Sequence, residues 1–274
     1  MQKTSDIGEL QAIARRVRRH IVTMIGAAKS GHPGGSLSAV ETLVTLYFDV
    51  MRHDPSNPKW ADRDRFILSK GHAAPVLYAV FAEAGYTPAD SLNTLRSLGS
   101  IYQGHPDRRF IPAFEGSTGS LGVGLSLGLG MAEAAKLDKS PTRVFVMLGD
   151  GEIQEGQIWE AAMYGGFHKI DNIVAIVDYN KIQLDGFVKD IMDVAPLADK
   201  WRAFNWNTIE LDGHDFGALQ KAFADAAATK GQPTVLIANT IKGKGVSFME
   251  NNPKFHGVAP TKEEVEKALQ EIGA

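Results

Sequence analysis

The chain has 274 residues, of which 44% are hydrophobic and 22% are charged, an ordinary composition for a globular protein with a large apolar core. Its 29 basic and 32 acidic residues give a net charge of −3, so no basic excess points to nucleic acid as a partner. The absence of cysteine excludes disulfides and thiolate ligands for zinc. The longest uncharged stretch is too short to span a bilayer and no signal peptide pattern opens the chain, so we expect a cytoplasmic protein without membrane contact.

The first part of the chain predicts helices joined by glycine and proline loops. Asp6 is the expected N-cap of a helix whose apolar stripe begins at Ile7. The basic cluster at residues 15–20 is then expected on a solvated or inter-subunit face. A loop at residues 30–36 leads into a second predicted helix at residues 37–48.

A short buried strand is predicted to begin at Arg65 and to turn at Gly71, before a helix that carries Pro75 in its first turns. Residues 122–136 predict a helix rich in small residues. Its glycines do not form a dinucleotide-binding motif, because Leu127 stands where Gly-x-Gly-x-x-Gly needs glycine and no strong strand precedes the run. We expect these small residues to let the helix pack closely on another part of the backbone.

Two mostly apolar runs, at residues 143–151 and 173–182, predict buried strands of a parallel sheet. The segment 152–169 between them is long enough to be the crossover helix that parallel strands require. The apolar part of the first run stops at Asp150, and that of the second stops at Asn180. These two side chains are therefore expected side by side at the carboxyl edge of the sheet, where open α/β folds bind ligands.

A carboxylate and an amide both present hard oxygens, which suit Mg²⁺ or Ca²⁺. Protein-bound Mg²⁺ commonly completes its shell with phosphate oxygens, and Gly151 would let the backbone approach a phosphate. The spacing from Asp150 to Asn180 resembles the fingerprint of thiamine-diphosphate enzymes. That resemblance adds the backbone carbonyl of Ile182 as a third metal ligand.

Residues 185–200 are expected to form a loop with one short helix. Two more strands are predicted at residues 207–211 and 234–239, with a helix at 216–229 between them. Thr261 with Glu264 predicts the capped start of a last helix. Lys242 lies in a glycine-rich turn at the end of the second strand, where an anion contact is expected. No linker or repeat divides the chain. The prediction is one α/β domain over residues 1–274, with a parallel sheet and helices on both faces.

Four of the eight histidines lie in glycine or proline loops: His32, His72, His105 and His256. Imidazoles at such positions suit hydrogen bonding to phosphate and sugar hydroxyls and can relay protons near pH 7. Their spacing does not predict zinc. The remaining histidines carry no predicted role, and His214 is interpreted as part of a turn.

Several motifs, in this order along nearly the whole chain, resemble the amino-terminal, diphosphate-binding part of transketolase: Ser30-Gly-His-Pro-Gly34, Phe66-Ile-Leu-Ser-Lys-Gly-His72-Ala-Ala-Pro75, Gly104-His-Pro106, Ser117-Thr-Gly-Ser-Leu-Gly122, Gly149-Asp-Gly-Glu-Ile-Gln-Glu-Gly156, Asn180-Lys-Ile182, Lys242-Gly-Lys-Gly245 and Phe255-His-Gly257. The resemblance implies a thiamine-diphosphate-binding fold and a place in sugar-phosphate metabolism such as the pentose phosphate pathway.

The resemblance also implies residue roles. The metal would be held by Asp150, Asn180 and the carbonyl of Ile182. Diphosphate contacts would come from His72, Gly151, Lys242 and His256. The organic rings of the cofactor would contact Gly119, Ser120 and Leu121. The ketose would be held, and protons moved, by His32, His105 and His256. Glu155 is expected among the catalytic residues, where it would join paired sites at a subunit interface.

In transketolases a later domain supplies the glutamate and aromatic residue that hold the pyrimidine ring, and it also supplies the groups that bind substrate phosphate. The resemblance therefore implies one subunit of a split transketolase, inactive alone, in an α2β2 heterotetramer. It would transfer a two-carbon ketol unit from a ketose phosphate, such as xylulose 5-phosphate, to an aldose phosphate. Three alternatives stay open: a split relative that acts on a modified sugar, a non-catalytic assembly module, and a phosphatase-type enzyme with Asp150 as phosphoryl acceptor.

Overall fold

The computed structural model describes residues 3–274, and its centre is a five-stranded parallel sheet in the order β1–β2–β3–β7–β6. The sheet strands are β1 Arg65–Leu68, β2 Val144–Gly149, β3 Ile173–Tyr179, β6 Asn207–Asp212 and β7 Thr234–Asn239. A separate antiparallel ribbon consists of β4 Ile182–Gln183 and β5 Gly186–Phe187. All five strands of the parallel sheet were predicted from the sequence, whereas the ribbon was not.

The helices alternate with the strands along most of the chain. Within residues 3–274 they are α1 Ile7–Ala28, α2 Pro33–Leu37, α3 Val40–Thr45, α4 Ala74–Ala84, α5 Val123–Leu137, α6 Gly156–Phe167, α7 Val188–Ile191, α8 Leu197–Ala203, α9 Phe216–Ala228 and α10 Lys262–Ile272. Helix α6 is the crossover between β2 and β3. Helix α10 begins with a complete capping box, in which Thr261 and Glu264 exchange side-chain and backbone hydrogen bonds.

The sheet is covered on both faces because successive strand residues point to opposite sides. In β2, Phe145 and Met147 belong to an apolar core that includes side chains of α1, α3, α4 and α9. The alternate residues Val146 and Leu148 belong to a second core with side chains of α5, α6 and α8. These four side chains are buried, so the predicted parallel sheet with helices on both faces is confirmed.

The small residues of α5 allow close packing, as predicted. A Cβ atom at Gly124 would lie 2.3 Å from Ser69 Oγ, and one at Gly128 would lie 2.4 Å from a methyl group of Val146 in β2. Neither position has room for a side chain. The helix can therefore lie directly against the sheet only because these positions are glycine.

Three local predictions differ from the structure. The helix expected at residues 37–48 is interrupted after Leu37, resumes as α3, and ends in one π-helical turn, Leu46–Val50. Ile7 is exposed although it was placed on the apolar stripe. Residues 185–200, expected as a loop with one short helix, contain β5, α7 and the start of α8.

The basic cluster on α1 is not uniformly solvated. Arg18 is buried and its guanidinium lies 2.6 Å from the Glu41 carboxylate, whose other oxygen lies 2.9 Å from His214 Nδ1. His214 Nε2 accepts a hydrogen bond from the Ile241 backbone N–H. This buried charge pair ties α1 and α3 to the loop after β7, which a pattern of surface charges could not reveal.

No helix within residues 3–274 is long and apolar enough to cross a membrane. Residues 1 and 2 of the predicted single domain lie outside the described residues. The organisation of residues 1–274 as one domain stays a prediction, and the described part of the chain is arranged around the one five-stranded sheet.

Candidate active site at the carboxyl edge of the sheet

The register of the central strands places the two predicted metal ligands next to each other. Strands β2 and β3 pair so that Gly149 lies opposite Asp178. Asp150 follows the first of these residues directly, and Asn180 comes two residues after the second. Both segments leave the sheet at the same edge, so the two side chains enter one cleft.

That cleft has a volume of about 480 Å³ and collects most of the predicted site residues. Its lining includes His32, His72, Gly119, Leu121, Asp150, Gly151, Glu155, Asn180, Ile182, Lys242 and His256. Two predicted residues are not part of the lining: Ser120 is exposed, and His105 is exposed with its ring beside Gly119. Residues from distant parts of the chain, from His32 to His256, thus meet at one place.

Asp150 is buried, and its carboxylate is held by backbone groups. One oxygen accepts a hydrogen bond from Gly151 N–H at 2.8 Å, and the other accepts one from Lys181 N–H. Burial and the negative charge of Asp178 raise the pKa of Asp150 to about 7. A cation bound nearby would favour the ionised form and lower this pKa.

Asn180 is buried beside Asp150, and both the nitrogen and the oxygen of its amide form hydrogen bonds. The amide nitrogen donates to Asp178 Oδ2 at 2.8 Å, while the amide oxygen accepts a hydrogen bond from Ile182 N–H at 3.2 Å. The better hydrogen bond therefore lies on the nitrogen side. This arrangement leaves the amide oxygen with capacity for a second partner.

Asp178 is a residue of this site that the sequence pattern did not single out. It is fully buried beneath Asn180 and accepts hydrogen bonds from four side-chain donors: Ser38, Lys70, Asn180 and Thr240. Burial alone would raise its pKa, but the adjacent Lys70 ammonium and these donors hold the pKa of Asp178 below its ordinary value. The signal available in the sequence was a charged residue inside an otherwise apolar strand.

Lys242 supplies positive charge to the cleft although its side chain is buried. Its ammonium donates to the carbonyl oxygen of Ile182 at 2.6 Å and to His256 Nδ1 at 2.7 Å. Burial, partly offset by the attraction of Asp150, lowers the pKa of Lys242 to about 8. The group is therefore protonated at neutral pH and can serve an anionic ligand.

Three of the predicted histidines form a cluster. The ring centres of His32 and His72 lie 5.2 Å apart, those of His72 and His256 lie 5.2 Å apart, and those of His32 and His256 lie 5.7 Å apart. Burial and neighbouring cations lower the pKa of His72 to about 2, of His256 to about 3 and of His32 to about 4. All three rings are neutral at pH 7, and each then offers one donor and one acceptor.

Arg96 and Glu152 are two further residues to which the sequence pattern assigned no role. The Arg96 guanidinium lies 2.7 Å from Ser30 Oγ and 3.5 Å from His32 Nδ1, and after burial it is the largest influence on the lowered pKa of His32. Glu152 is buried and accepts hydrogen bonds from Gly122 and Gly149, both at 2.9 Å. It thereby joins the loop after Leu121 to the end of β2.

The donor set fits a hard cation with an attached diphosphate. Asp150, Asn180 and Ile182 can offer three oxygens of different kinds, which is a small set of the type that Mg²⁺ accepts when phosphates complete its shell. Among residues 3–274 no group of three histidines, cysteines or carboxylates could hold a metal by itself. A Cβ at Gly151 would lie 2.8 Å from Gln183 Cβ, so glycine is required there by packing, in addition to the predicted approach of a phosphate.

The fold is α/β, and the cleft at the carboxyl edge of its sheet carries groups suited to an anionic ligand and a hard cation. Residues 10–274 match the family model described as the thiamine diphosphate binding domain of transketolase. The chain belongs to the transketolase family, and the predictions of this family and of a transketolase-type enzyme are confirmed.

Several relatives have nearly the same length as this chain. It is 44% identical over 264 residues to the 6-deoxy-6-sulfo-D-fructose transketolase subunit of Clostridium sp. strain MSTE9, with 96% of each chain covered. It is 42% identical to an apulose-4-phosphate transketolase subunit of Phocaeicola vulgatus, covering 96% of this chain and 93% of that one.

Solved transketolases contain the same fold within a longer chain. The transketolase from Campylobacter jejuni superposes with a TM-score of 0.93 at 32% identity. The match covers 98% of this chain but 43% of that one. The chain thus spans less than half the length of this solved relative.

Proposed function

We propose that this chain is the diphosphate-binding subunit of a split transketolase, which moves a two-carbon ketol unit from a ketose phosphate to an aldose phosphate. The observation that carries the proposal is the meeting of Asp150 and Asn180 with Lys242 and a cluster of neutral histidines in one cleft. Relatives of nearly equal length that are named as transketolase subunits support a division of the enzyme into two polypeptides.

In this proposal Asp150, Asn180 and the Ile182 carbonyl hold Mg²⁺ or Ca²⁺, and Lys242, Gly151 and the histidines hold the diphosphate. Thiamine diphosphate, when bound, supplies the carbon nucleophile that ketol transfer requires. The side chains of this subunit bind the cofactor and orient it. Ionised Asp150 and the Lys242 ammonium balance the charges of metal and diphosphate, so that a doubly charged anion can be buried.

The neutral histidines suit the sugar end of the reaction. His32 and His256 can each donate one hydrogen bond to a hydroxyl group and accept another, and either can take up a proton during the reaction. The lowered pKa values mean that a proton taken up at these rings is released again readily. His105, on the rim beside Gly119, is proposed to complete the sugar contacts.

A second subunit is proposed to supply the pyrimidine-binding domain, in an α2β2 assembly in the cytoplasm. Glu155 is exposed at the mouth of the cleft, which suits the subunit contact proposed for it. Leu184 and Met192 also line this rim and have exposed fractions of 65% and 53%, so an apolar surface is available beside the cofactor cleft.

A modified sugar is the second candidate substrate, because the two relatives named above are named for a sulfo-sugar and for apulose 4-phosphate. A panel of ketose phosphates, sulfonated ketoses and branched sugars, assayed with the chain and its co-purified partner, distinguishes the candidates. Turnover of xylulose 5-phosphate with ribose 5-phosphate supports the first. Turnover of only modified sugars supports the second.

The proposal that this chain binds the cofactor is tested by calorimetric titration of the full chain with thiamine diphosphate in the presence of Mg²⁺. We expect binding that EDTA abolishes and excess Mg²⁺ restores. Absence of binding both to the chain alone and to the chain with its partner would contradict the proposal. Full activity of an Asp150→Ala chain with its partner would instead favour the non-catalytic assembly role.

A further inference from the structure

Asn180 poses an orientation problem, because only the oxygen of its amide can ligate a metal. Oxygen and nitrogen of an amide have nearly the same shape, so packing does not distinguish the two orientations. The hydrogen bond from Ile182 N–H to the amide oxygen is long, at 3.2 Å. The orientation must therefore be set mainly at the nitrogen end, where Asp178 Oδ2 accepts at 2.8 Å.

Asp178 is itself held in one position. Its Oδ2 atom also accepts from Ser38 Oγ at 2.7 Å and from the Lys70 ammonium, and Oδ1 accepts from Thr240 Oγ1. All of these residues are buried, with exposed fractions of 0% for Asp178 and 1% for Lys70. A carboxylate with four donors around it cannot turn without losing several charge-assisted hydrogen bonds.

Lys70 links this arrangement to a different part of the fold. Its ammonium also donates to the carbonyl oxygen of Gly35 at 2.7 Å, in the short helix α2 that follows His32. Ser38, which donates to the same carboxylate, lies directly after α2. The buried pair thus joins the loop of His32 to the strand end that carries Asn180.

We propose that Asp178, held by Lys70, is a positioning residue that keeps the Asn180 amide oxygen turned toward the metal position. The proposal rests on the function proposed above for Asp150 and Asn180. If the side chain at position 178 could not accept a hydrogen bond, the Asn180 amide could turn and present its NH₂ group to the cation. Partners of metal ligands in other proteins contribute about tenfold to a hundredfold to metal affinity.

A purely structural role for the pair instead predicts equal cofactor affinity in two variants that both remove the two charges. Removing one partner of a buried ion pair is strongly destabilising, whereas replacing both by apolar residues of similar volume is often neutral. Lys70→Met with Asp178→Leu therefore removes the pair and the acceptor for Asn180 together, without leaving a buried charge. Lys70→Met with Asp178→Asn removes the same charges but keeps an amide oxygen that can accept from Asn180.

The experiment compares these two double variants with the wild-type full chain, by calorimetric titration of thiamine diphosphate at saturating Mg²⁺ and by thermal unfolding without ligand. We expect the leucine double variant to bind about tenfold to a hundredfold more weakly. The asparagine double variant is expected to stay within a few-fold of wild type. Equal affinities in the two double variants, whether high or low, would overturn the proposal.

A measurement without ligand keeps the proposal testable if the leucine variant does not fold. In the wild-type chain the side-chain amide protons of Asn180 should exchange slowly with solvent in NMR, and they should still do so in the asparagine double variant. Rapid exchange in the wild type would overturn the positioning role. Wild-type chain that neither alone nor with its partner binds the cofactor would instead overturn the proposed function itself.

Asp64 provides a matched control for the loss of a buried carboxylate. It is also fully buried, but it lies at the amino edge of the same sheet, where it accepts from Arg52 at 2.8 Å and from Arg143 at 2.6 Å. Asp64→Asn should lower the unfolding temperature and leave cofactor affinity unchanged. A loss of affinity in this variant equal to that of the leucine double variant would assign the effect to stability, against the proposal.

Discussion

The ammonium nitrogen of Lys242 lies 2.6 Å from the carbonyl oxygen of Ile182, the oxygen that is proposed as a metal ligand. Two like unit charges about 4 Å apart repel by roughly 4 kcal/mol at an effective dielectric near 20, so a divalent cation and this ammonium oppose each other at one oxygen. We therefore expect Lys242 to turn away from Ile182 when the site is loaded. A diphosphate would offer it new acceptors.

Replacing Lys242 by methionine tests this exchange. The variant should bind thiamine diphosphate about tenfold to a hundredfold more weakly, because a hydrogen bond to a charged group contributes about 1.5–3 kcal/mol. Binding of Mg²⁺ alone should be no weaker than in the wild type, since the competing ammonium is gone. Calorimetric titrations with each ligand measure both effects.

Lys244→Met is the control, because Lys244 lies in the same glycine turn and its ammonium faces Glu250 at 3.7 Å. It should retain wild-type affinity for the cofactor. Equal losses in the two lysine variants would refute a specific contact by Lys242.

Asp150→Asn should separate binding from stability. The variant should lose Mg²⁺-dependent binding of thiamine diphosphate, because the metal loses its only carboxylate in the proposed ligand set. Its unfolding temperature at pH 8 should not fall, since burial raises the pKa of Asp150 to about 7 and removing the charge ends an unfavourable desolvation. Asp190→Asn, at an exposed position of α7, should change neither property. Unimpaired metal-dependent binding by Asp150→Asn would contradict the site.

The histidine cluster predicts that acid destabilises the ligand-free chain. The pKa values of His32, His72 and His256 are lowered to about 4, 2 and 3 in the folded chain, from an ordinary value of 6.5. Between pH 6.5 and 4 the unfolded chain therefore binds more protons at these groups, and stability falls as pH falls. Burial raises the pKa values of Asp150 and Glu152, which act in the opposite direction, but two carboxylates oppose three histidines.

Urea unfolding at pH 7 and pH 5 measures this effect, and the midpoint should lie at lower urea at pH 5. His256→Gln should reduce the difference between the two pH values, while His168→Gln, at an exposed position after α6, should leave it unchanged. A midpoint that rises on acidification would show that other groups dominate.

Two glycines of α5 should respond oppositely to alanine. Gly128→Ala would place a Cβ atom 2.4 Å from Val146, and such overpacking costs about 1–3 kcal/mol of unfolding free energy. At Gly130 a Cβ would meet nothing within 4 Å, so alanine there should stabilise the helix by up to about 1 kcal/mol. Urea unfolding of both variants measures the difference. Equal effects at the two positions would contradict the packing of α5 on β2.

Much of the fold could be predicted from local pattern. The apolar runs of β2 and β3 have the composition of strands buried on both faces, and the segment between them has the length of a crossover helix. Helix α10 was predicted from its capping box, and its exposed side is charged. The interruption after Leu37 was missed, because residues 37–48 are mostly apolar and helix-forming and give no signal for a break.

The sequence singled out some of the residues that meet in the candidate cleft and missed others. Asp150, Asn180 and the glycine-loop histidines stand out because polar residues at strand ends and in glycine loops rarely serve the core. Asp178, Lys70 and Glu152 were given no role because most of their hydrogen-bond partners lie far along the chain. Lys70 and Asp178 are 108 positions apart, and nothing local indicates that they meet.

The amino-acid sequence by itself determined the family, the polar residues at the strand ends and the order of helices and strands, because these depend on residue types at short range. Only the tertiary structure decided which way each buried polar group is turned. Tertiary packing brings Ser38, Lys70 and Thr240 to Asp178. Burial at that place makes hydrogen-bond direction and charge far more costly to change than at the surface. The orientation of one amide and the neutral state of three histidines follow from that burial.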